Sequence, residues 1–349
     1  MDNLDASTIT GIAVASAIAV TTGFFFYNSD YAPDAASAQP SDDIIALRIY
    51  PIKSCRGIQV QSAKLLRTGL DLDRNWMLIS AEKREFLTIR SNSQMTLIRT
   101  AVDFDNDTLT ITIEGKGDWK LTIPAHPTTE WLEGNTTLRG GVIWGQETDG
   151  WEYPAATTQP LSEFLGVDAR LLYKGPSPRV LRGCGAPERL GRTEATKFAD
   201  MMPVLVASQA SLDELNERLR SGGEEAIDIE RFRPNIVIRG HKPWSEDNWK
   251  TLRIGKAAEG GSGGKVVDLD VVCRCLRCQV PNVDPDSGEK HLRQPWDQLM
   301  KYRRIDKGLK FKPSFGMLCV PKEEGVVEVG QKLDVTGTTD SHFFISPMK

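Results

Sequence analysis

The sequence predicts a mixed α/β fold that comprises an N-terminal membrane helix, a mainly-β domain and a β-barrel-like domain with a few helices. Three observations lead to this prediction. An uncharged apolar run stands near the start of the chain, short alternating segments follow in the first half, and strand-like segments mixed with periodic helical ones fill the second half. A chain of 349 residues is long enough for two domains.

The apolar run is the evidence for the membrane helix. Ala6–Ser29 contains no charged residue, and about 20 apolar residues rising ~1.5 Å each span the ~30 Å hydrocarbon core of a bilayer. A cleaved signal peptide would have basic residues before the run, but only Asp2 and Asp5 precede it. Residues 1–29 are therefore predicted to be a transmembrane anchor. Residues 30–43, rich in Ala, Ser, Pro and Asp, are predicted to be a flexible tether.

Residues 44–175 form the predicted mainly-β domain, an N-terminal domain that resembles a barrel. Gly, Asp and Asn clusters separate short alternating or apolar segments, which is typical of antiparallel strands. Its predicted elements are three strands and one helix, at Ile44–Tyr50, Trp76–Ile79, Thr108–Ile113 and Gln159–Leu165.

Residues 176–338 form the predicted β-barrel-like domain, and residues 339–349 form a tail. Strands are expected at Asn235–Ile238, Val266–Val272 and Met317–Val320, and helices at Ser211–Leu219 and Pro295–Tyr302. Ser211 is a candidate helix cap, and proline is tolerated in the first turn of a helix. Gly and Pro punctuation predicts a loop at Gly183–Arg192 and a hairpin tip at Gly260–Gly264.

Charge and cysteine content limit the partners and the compartment. Lys and Arg number 43 and Asp and Glu 47, for a net charge of −4, so no general attraction to nucleic acid is expected and any anion site must be local. Six cysteines, three of them within six residues, do not have the spread of a secreted disulfide scaffold. We therefore expect reduced thiols and a catalytic part that faces the cytosol.

The densest chemical signal is the segment Cys273-Arg274-Cys275-Leu276-Arg277-Cys278. A thiolate is a soft metal ligand, and basic neighbours favour the ionised form of a cysteine. A structural zinc site with His291 as fourth ligand is an alternative, although the spacing lacks the usual two pairs of ligands. Buried free thiols without a metal are a second alternative, because cysteine is among the most buried residue types. The residues alone leave these three interpretations open.

Five motifs occur in an order that identifies a resemblance. They are Tyr50-Pro-Ile-Lys53-Ser54-Cys55-Arg56-Gly57, Asp73-Arg74-Asn75-Trp76, Arg231-Phe232-Arg233-Pro234-Asn235-Ile236-Val237-Ile238, Trp249 with Ile254-Gly255, and Cys275-Leu-Arg-Cys278 with Val283-Asp-Pro-Asp-Ser-Gly288. Together, from Ile44 to Gly337, they resemble the MOSC family, and within it the mitochondrial amidoxime-reducing components. Any one motif is weak evidence, whereas five in order are strong evidence.

The resemblance implies a molybdenum-molybdopterin cofactor, in which molybdenum is bound by one pyranopterin dithiolene and one protein cysteine. By position, Cys278 is the implied metal ligand and catalytic residue, and Cys275 its partner without ligation. The other implied cofactor-binding residues are Lys53, Ser54 and Arg74 for the terminal phosphate, and Arg233 and Asn235 for the pterin ring. Arginine suits bidentate phosphate recognition, and asparagine offers both a donor and an acceptor to a heterocycle. Two features depart from the family pattern: Cys273 adds a thiol, and Met201-Met202 stand where small hydroxyl residues are usual.

The implied activity is the reduction of small N-hydroxylated compounds, such as amidoxime to amidine, or of nitrite. The sequence contains no dinucleotide, haem or four-cysteine iron–sulfur signature, so the electrons must come from a partner. The resemblance implies cytochrome b5 and its NADH-dependent reductase, and a location on the outer mitochondrial membrane. A basic strip is one candidate docking face for an acidic haem protein and contains Arg179, Arg182, Arg189 and Arg192.

Two other functions remain as alternatives. MOSC domains also occur at the end of cofactor sulfurases, which suggests a sulfur carrier, although this chain has no room for the pyridoxal-phosphate domain of such enzymes. A carrier of the molybdenum cofactor without reductase turnover is the other alternative, and it would bind the cofactor yet show no activity with an electron donor.

Overall fold

The computed structural model describes residues 42–255 and 265–347. The first ten strands of this part are β1 (Asp42–Ile49), β2 (Ile58–Val60), β3 (Ser62–Leu66), β4 (Gly69–Leu70), β5 (Trp76–Ser80), β6 (Ile98–Asp103), β7 (Thr108–Ile113), β8 (Lys120–Pro124), β9 (Thr137–Ile143) and β10 (Gln146–Glu152). The second ten are β11 (Ala169–Lys174), β12 (Arg179–Val180), β13 (Ala195–Thr196), β14 (Val204–Ser208), β15 (Ile236–Ile238), β16 (Trp249–Ile254), β17 (Val267–Leu276), β18 (Ser314–Pro321), β19 (Gly325–Glu328) and β20 (Lys332–Thr338).

Helices are few and short within the same residues. The α-helices are α1 (Thr129–Asn135), α2 (Ala155–Leu165), α3 (Pro187–Leu190), α4 (Gln209–Ser221) and α5 (Trp296–Tyr302). Short 3-10 helices lie at Ser93–Leu97, Gly183–Gly185, Ile229–Phe232, Ser245–Asn248 and Val280–Asn282.

Seven strands close into a barrel. The strand order is β15-β14-β18-β17-β16-β20-β1, and a further pairing between β15 and β1 closes the ring, while β2 extends the sheet beyond β1. The pairs are antiparallel except for β14 with β15, which is parallel. The first strand of the described chain, β1, therefore completes a barrel whose other strands come from the second half of the sequence.

Four smaller sheets are formed by strands that lie between the barrel strands in the sequence. They are β5-β11-β10-β9, β19-β3-β4, β6-β7-β8 and the pair β12-β13. Strand β7 shows why the alternating sequence forms such a sheet: Leu109, Ile111 and Ile113 are buried, while the intervening threonines are half-buried on the other face. Side chains of successive strand residues point to opposite faces, so this alternation buries one face only.

Strand β18 of the barrel is buried on both faces. All eight residues of β18 are buried, which is the burial expected of a strand covered on both sides. Helix α4 covers part of the barrel, because Leu212, Leu215 and Leu219 pack in one cluster with Phe232 and Phe315, whose rings are stacked 3.7 Å apart.

The predicted fold class was wrong. The described residues are mainly β, with twenty strands against five α-helices, of which the longest has 13 residues. The mixed α/β prediction gave the helical segments too much weight, because here they connect or cover strands and do not form a layer of their own. No helix within residues 42–255 and 265–347 is long and apolar enough to cross a bilayer. The predicted anchor, residues 1–29, lies outside the described residues.

Most predicted elements lie close to observed ones. The predicted helix at Ser211–Leu219 is longer and begins at Gln209, so Ser211 is not its cap and instead donates a hydrogen bond to Glu246. The predicted loop at Gly183–Arg192 contains a 3-10 turn and α3. Strand β1 begins at Asp42, within the predicted tether. The predicted hairpin tip at Gly260–Gly264 lies outside the described residues.

Truncation of a barrel residue tests the role of β1. Leu47 on β1 is fully buried and lies opposite Ile236 of β15. Leu47→Ala is expected to lower the free energy of unfolding by about 2–5 kcal/mol, because it removes buried methyl groups and leaves a cavity. The measurement is urea unfolding of the full chain. Leu138→Ala, at a side chain 45% exposed on β9, is the control, and equal losses in the two variants would contradict the burial of Leu47 between the barrel strands.

Candidate active site

One cavity of about 180 Å³ contains all seven residues that the resemblance implies, namely Lys53, Ser54, Arg74, Arg233, Asn235, Cys275 and Cys278. They come from segments far apart in the sequence, namely the loop after β1, the turn before β5, the segment between the Ile229–Phe232 turn and β15, and the end of β17. The structure thus brings the predicted residues together. Their roles toward a cofactor stay predictions.

Three of these residues have an unusual backbone conformation. Ser54, Arg74 and Arg233 have φ angles of 69°, 50° and 58°, in the left-handed region that non-glycine residues seldom adopt. Such conformations cost about 1–3 kcal/mol each and cluster at functional sites, where the surrounding structure enforces them. Backbone hydrogen bonds hold the local turns here, from Arg74 N to Tyr50 O at 2.7 Å and from Arg233 N to Glu230 O at 2.8 Å.

Lys53 carries a buried positive charge. Its Nζ donates a hydrogen bond of 2.9 Å to the carbonyl of Phe198 and contacts the carboxylate of Asp200, which also accepts a bond from Trp144 Nε1. Burial lowers the pKa of Lys53 to about 8, against the opposing effect of Asp200. Burial raises the pKa of the Asp200 carboxyl, but Lys53 and Trp144 outweigh it and hold the pKa below its usual range. Lys53 is therefore already positioned to hold an anionic group.

Tyr50 supports both arginines. The guanidinium groups of Arg74 and Arg233 lie 4.3 and 4.2 Å from the centroid of the Tyr50 ring, where a cation is attracted to the ring electrons. The ring fits because residue 57 is glycine: a Cβ there would lie 2.4 Å from Tyr50 Cε1. Burial raises the pKa of Tyr50 to about 12, so the phenol stays neutral and donates to the carbonyl of Pro234.

The two arginines differ in their remaining hydrogen bonds. Arg74 Nη1 donates to both carboxylate oxygens of Asp73, at 2.7 and 2.6 Å. Arg233 Nη1 donates to the carbonyl of Cys55 at 2.8 Å, but its Nη2 is buried and has no partner among the described residues. A buried donor without a partner is costly. An acceptor-rich ligand in the cavity would satisfy it, so this atom fits a bound cofactor.

Asn235 is used mainly by the fold. Its Oδ1 accepts a bond from Leu205 N at 3.1 Å, and its Nδ2 donates to Arg48 O at 3.2 Å. The amide thus ties the start of β15 to β14 and β1. Its remaining N–H and lone pair are what could reach a ligand.

The three clustered thiols have different surroundings. Cys278 is half-buried in the turn after β17, lines the cavity, and its sulfur forms no hydrogen bond within the described parts of the chain. Cys275 also lines the cavity, and its sulfur accepts a bond of 2.8 Å from Arg277 Nη1. Burial raises the pKa of Cys275, with Arg277 acting in the opposite direction. Of the three thiols, Cys278 is thus the one whose sulfur faces the cavity without a hydrogen bond and could bind a metal.

Cys273 lies elsewhere, in a hydrophobic cluster with Cys184. His291, the candidate fourth zinc ligand, is 3.6 Å from Glu224, and its Nδ1 accepts bonds from the backbone of Arg293 and Gln294. No group of three or more His, Cys, Asp or Glu residues in the described ranges is arranged to hold a metal ion. The zinc interpretation of the cluster therefore has no geometry to support it in these ranges.

Sequence reasoning missed several residues of the cavity wall, among them Asp200, Thr88 and Arg90. They lie outside the motifs, and nothing in their spacing marks them. Met201 and Met202 also line the cavity, and neither backbone N–H has a hydrogen-bond partner among the residues that the structure describes. The backbone can therefore supply the donors that the two methionine side chains lack.

Family comparisons agree with this arrangement. The family model described as MOSC domain matches residues 193–334, and that described as MOSC N-terminal beta barrel domain matches residues 41–168. The chain belongs to the MOSC domain family. The cavity is lined by residues of both matched regions, with Lys53 and Arg74 from residues 41–168 and Arg233 and Cys278 from residues 193–334.

Three relatives place the chain within the family. Mitochondrial amidoxime-reducing component 1 from Homo sapiens is 32% identical over 303 residues, 84% of this chain and 83% of that protein. The Mus musculus protein of the same name is 30% identical over 341 residues, 95% of this chain and 93% of that protein. Molybdenum cofactor sulfurase from Oryza sativa subsp. japonica is 34% identical over 282 residues, which are 77% of this chain but 31% of that protein.

Substitution of Lys53 tests its burial in the cofactor-free protein. The pKa of Lys53 is about 8 in the fold against 10.5 for an ordinary lysine. Between these two values the unfolded chain binds more protons at this site, so this lysine makes wild-type stability rise with pH. Relative to Lys53→Met, the wild type should gain roughly 3 kcal/mol across this interval. Urea unfolding at a series of pH values measures it, and a difference that does not change with pH would contradict the burial of a charged Lys53.

Proposed function

We propose that this chain reduces N-hydroxylated compounds at a molybdenum cofactor bound in the cavity. For an amidoxime, two electrons and two protons cleave the N–O bond to give an amidine and water. The single observation that carries the proposal is the convergence on one cavity of Cys278, with an open sulfur, and of the three cations Lys53, Arg74 and Arg233. The names of the human and mouse relatives support the reduction of amidoximes, and the name of the rice relative supports a molybdenum cofactor.

The chain offers a ligand for each part of the cofactor. Cys278 would bind the metal through its thiolate, which is a ligand suited to soft or borderline metals. Lys53, Ser54 and Arg74 would hold the phosphate, and Arg233 with Asn235 would contact the pterin ring. When bound, the molybdenum centre would supply the two-electron redox chemistry, while the protein positions it and tunes it.

The cavity wall also contains a group for the substrate. Asp200 is exposed to the cavity, and its carboxylate is ionised at neutral pH because its pKa lies below the usual range. A carboxylate accepts hydrogen bonds from the O–H and N–H groups of an amidoxime and attracts the positive charge of an amidine. Lys53 and Trp144 hold this carboxylate in place.

The electron donor is part of the proposal. We take cytochrome b5 with its NADH-dependent reductase as the source of both electrons, on the strength of the family resemblance. A mitochondrial location is included because both mammalian relatives are named as mitochondrial components. The outer-membrane position and the cytosol-facing catalytic part stay predictions.

Replacement of Cys278 tests the proposed ligand. In a host that makes molybdopterin, the full chain is expected to contain nearly one molybdenum per protein and to reduce benzamidoxime with a chemical reductant. Cys278→Ala should lower this activity by roughly 100-fold or more. The other thiol on the cavity wall, Cys275, already accepts a hydrogen bond from Arg277 and so would not replace it as metal ligand. Metal analysis and product quantification by chromatography measure the two effects.

Cys184→Ala is the matched control, since Cys184 is buried outside the cavity wall. It should keep both molybdenum and activity. Full activity in Cys278→Ala, or zinc in place of molybdenum, would overturn the proposed site. Bound molybdopterin without any turnover would favour the cofactor-carrier alternative, and a persulfide on Cys278 would favour the sulfur carrier that the rice relative suggests.

Reconstitution tests the electron donor. NADH, the reductase and cytochrome b5 together are expected to support amidoxime reduction by the full chain, and omission of cytochrome b5 should lower the rate by roughly tenfold or more, because the chain has no nicotinamide motif of its own. NADH consumption followed by absorbance measures the rate. Equal rates with and without cytochrome b5 would refute this donor but leave the reductase activity itself intact.

A further inference from the structure

A surface loop next to the cavity has an unusual composition. We call residues 301–312, from the end of α5 to the start of β18, the basic loop. It contains one acidic residue, Asp306, and six basic residues. Arg303 is buried, and the other five, which we call the outer cations, are Lys301, Arg304, Lys307, Lys310 and Lys312. Two apolar side chains of the loop are exposed, Phe311 at 76% and Ile305 at 38%. Exposed apolar and basic side chains therefore alternate over a short stretch.

Apart from the buried Arg303, the cations of the basic loop are not used by the fold. Arg304, Lys307, Lys310 and Lys312 form no ion pair within residues 42–255 and 265–347, and Lys301 donates only to Gln298. Asp306 cannot neutralise them, because it is buried and its carboxylate accepts bonds from Gly308 N, Phe344 N and Arg274. The loop therefore presents about five positive charges on a chain whose net charge is −4.

The loop also forms a groove. An open depression of about 400 Å³ is lined by seven of its residues, Lys301, Tyr302, Arg304, Ile305, Asp306, Lys307 and Lys310. Four of these side chains are cationic, and the acid is buried. A groove of this kind fits a phosphate or carboxylate group.

We propose that the basic loop binds the surface of an anionic phospholipid bilayer. The lysines and Arg304 would pair with headgroup phosphates in and around the groove, and Phe311 would enter the boundary between headgroups and acyl chains. Basic residues next to an anionic membrane each add to binding, and exposed aromatic rings suit this boundary.

The composition favours a lipid surface over a protein partner. Protein interfaces are depleted in lysine, with arginine and aromatic residues enriched in their place, whereas four of the five cations outside the buried Arg303 are lysines. Exposed Phe311 stands between two of them, Lys310 and Lys312. The predicted strip for an acidic haem protein has a different character: Arg179 is buried against backbone carbonyls, and Arg192 is paired with Glu194 and Asp270.

The base of the basic loop is firmly attached beside the cavity. Ser314 N donates to Arg303 O at 2.9 Å, and Arg277 N donates to Pro313 O at 2.7 Å, one residue before Cys278. Arg303 itself is buried and paired with Asp247 at 2.7 Å. A bilayer bound at the loop would therefore lie near the turn that carries Cys278.

Vesicle binding by the full chain tests this proposal. We expect stronger sedimentation with phosphatidylcholine vesicles that contain phosphatidylserine than with phosphatidylcholine alone, and a loss of this difference at high salt. Binding to the neutral vesicles measures the association that does not depend on lipid charge. For every variant this value is subtracted from the binding to the anionic vesicles. Lys307→Gln with Lys310→Gln should weaken the charge-dependent part roughly 30-fold, from about 1 kcal/mol per basic residue.

The matched control is Lys64→Gln with Lys116→Gln, which removes two exposed lysines on β3 and after β7. It should bind anionic vesicles as the parent does. Phe311→Ala should weaken binding without changing its salt dependence, which separates a lipid surface from a site for free inorganic phosphate. Circular dichroism shows that each variant is folded.

Three outcomes would overturn the proposal. The loop variant could bind anionic vesicles as tightly as the control, which would exclude the loop. Inorganic phosphate could bind the loop while Phe311→Ala leaves vesicle binding unchanged, which would indicate a soluble anion site. An acidic protein could bind the loop while vesicles do not, which would indicate a protein partner.

Discussion

Positive charge withdrawn from water is the constraint on which the candidate site depends. Lys53 is buried and Arg74 and Arg233 are half-buried around one cavity, and an isolated charge in such a place costs several kcal/mol. The protein offsets this cost with the Tyr50 ring and with the carboxylates of Asp73 and Asp200. The compensation is incomplete at Arg233 Nη2. An anionic ligand in the cavity would therefore supply the hydrogen-bond acceptor that Arg233 Nη2 lacks.

The same constraint explains where the backbone is strained. The left-handed residues Ser54, Arg74 and Arg233 all lie on the cavity wall. An ordinary extended or helical backbone at these turns would direct the side chains differently, so the conformational cost is part of placing charges on one wall. Tyr50 connects the two effects, since its ring contacts both arginines and its carbonyl accepts the bond that fixes the Arg74 turn. Gly57 is required for the ring to occupy its position.

Local features of the fold could be predicted from residue patterns, whereas long-range ones could be predicted only where family motifs mark them. Alternation in Thr108–Ile113 predicts β7 and its buried face, because that pattern depends on neighbouring residues alone. The family motifs predict which residues share a cavity, because residues that bind one cofactor must lie close together in the fold. The mainly-β class and Asp200 were missed, because neither leaves a local pattern. Asn235 shows a limit of motif transfer: its amide mainly joins strands, which the motif itself does not reveal.

Closure of the barrel by β1 has a consequence for how the protein is made. Strand β1 pairs with β15 and with β20. The residues of β20 lie near the C-terminal end of the described chain. Contacts between residues so distant in sequence raise the contact order and slow folding. The ribosome must release every residue up to β20 before β20 can reach β1, and until then part of the edge of β1 is unpaired. Such an edge is a template for aggregation, so the nascent chain should depend on chaperones until β20 has been synthesised.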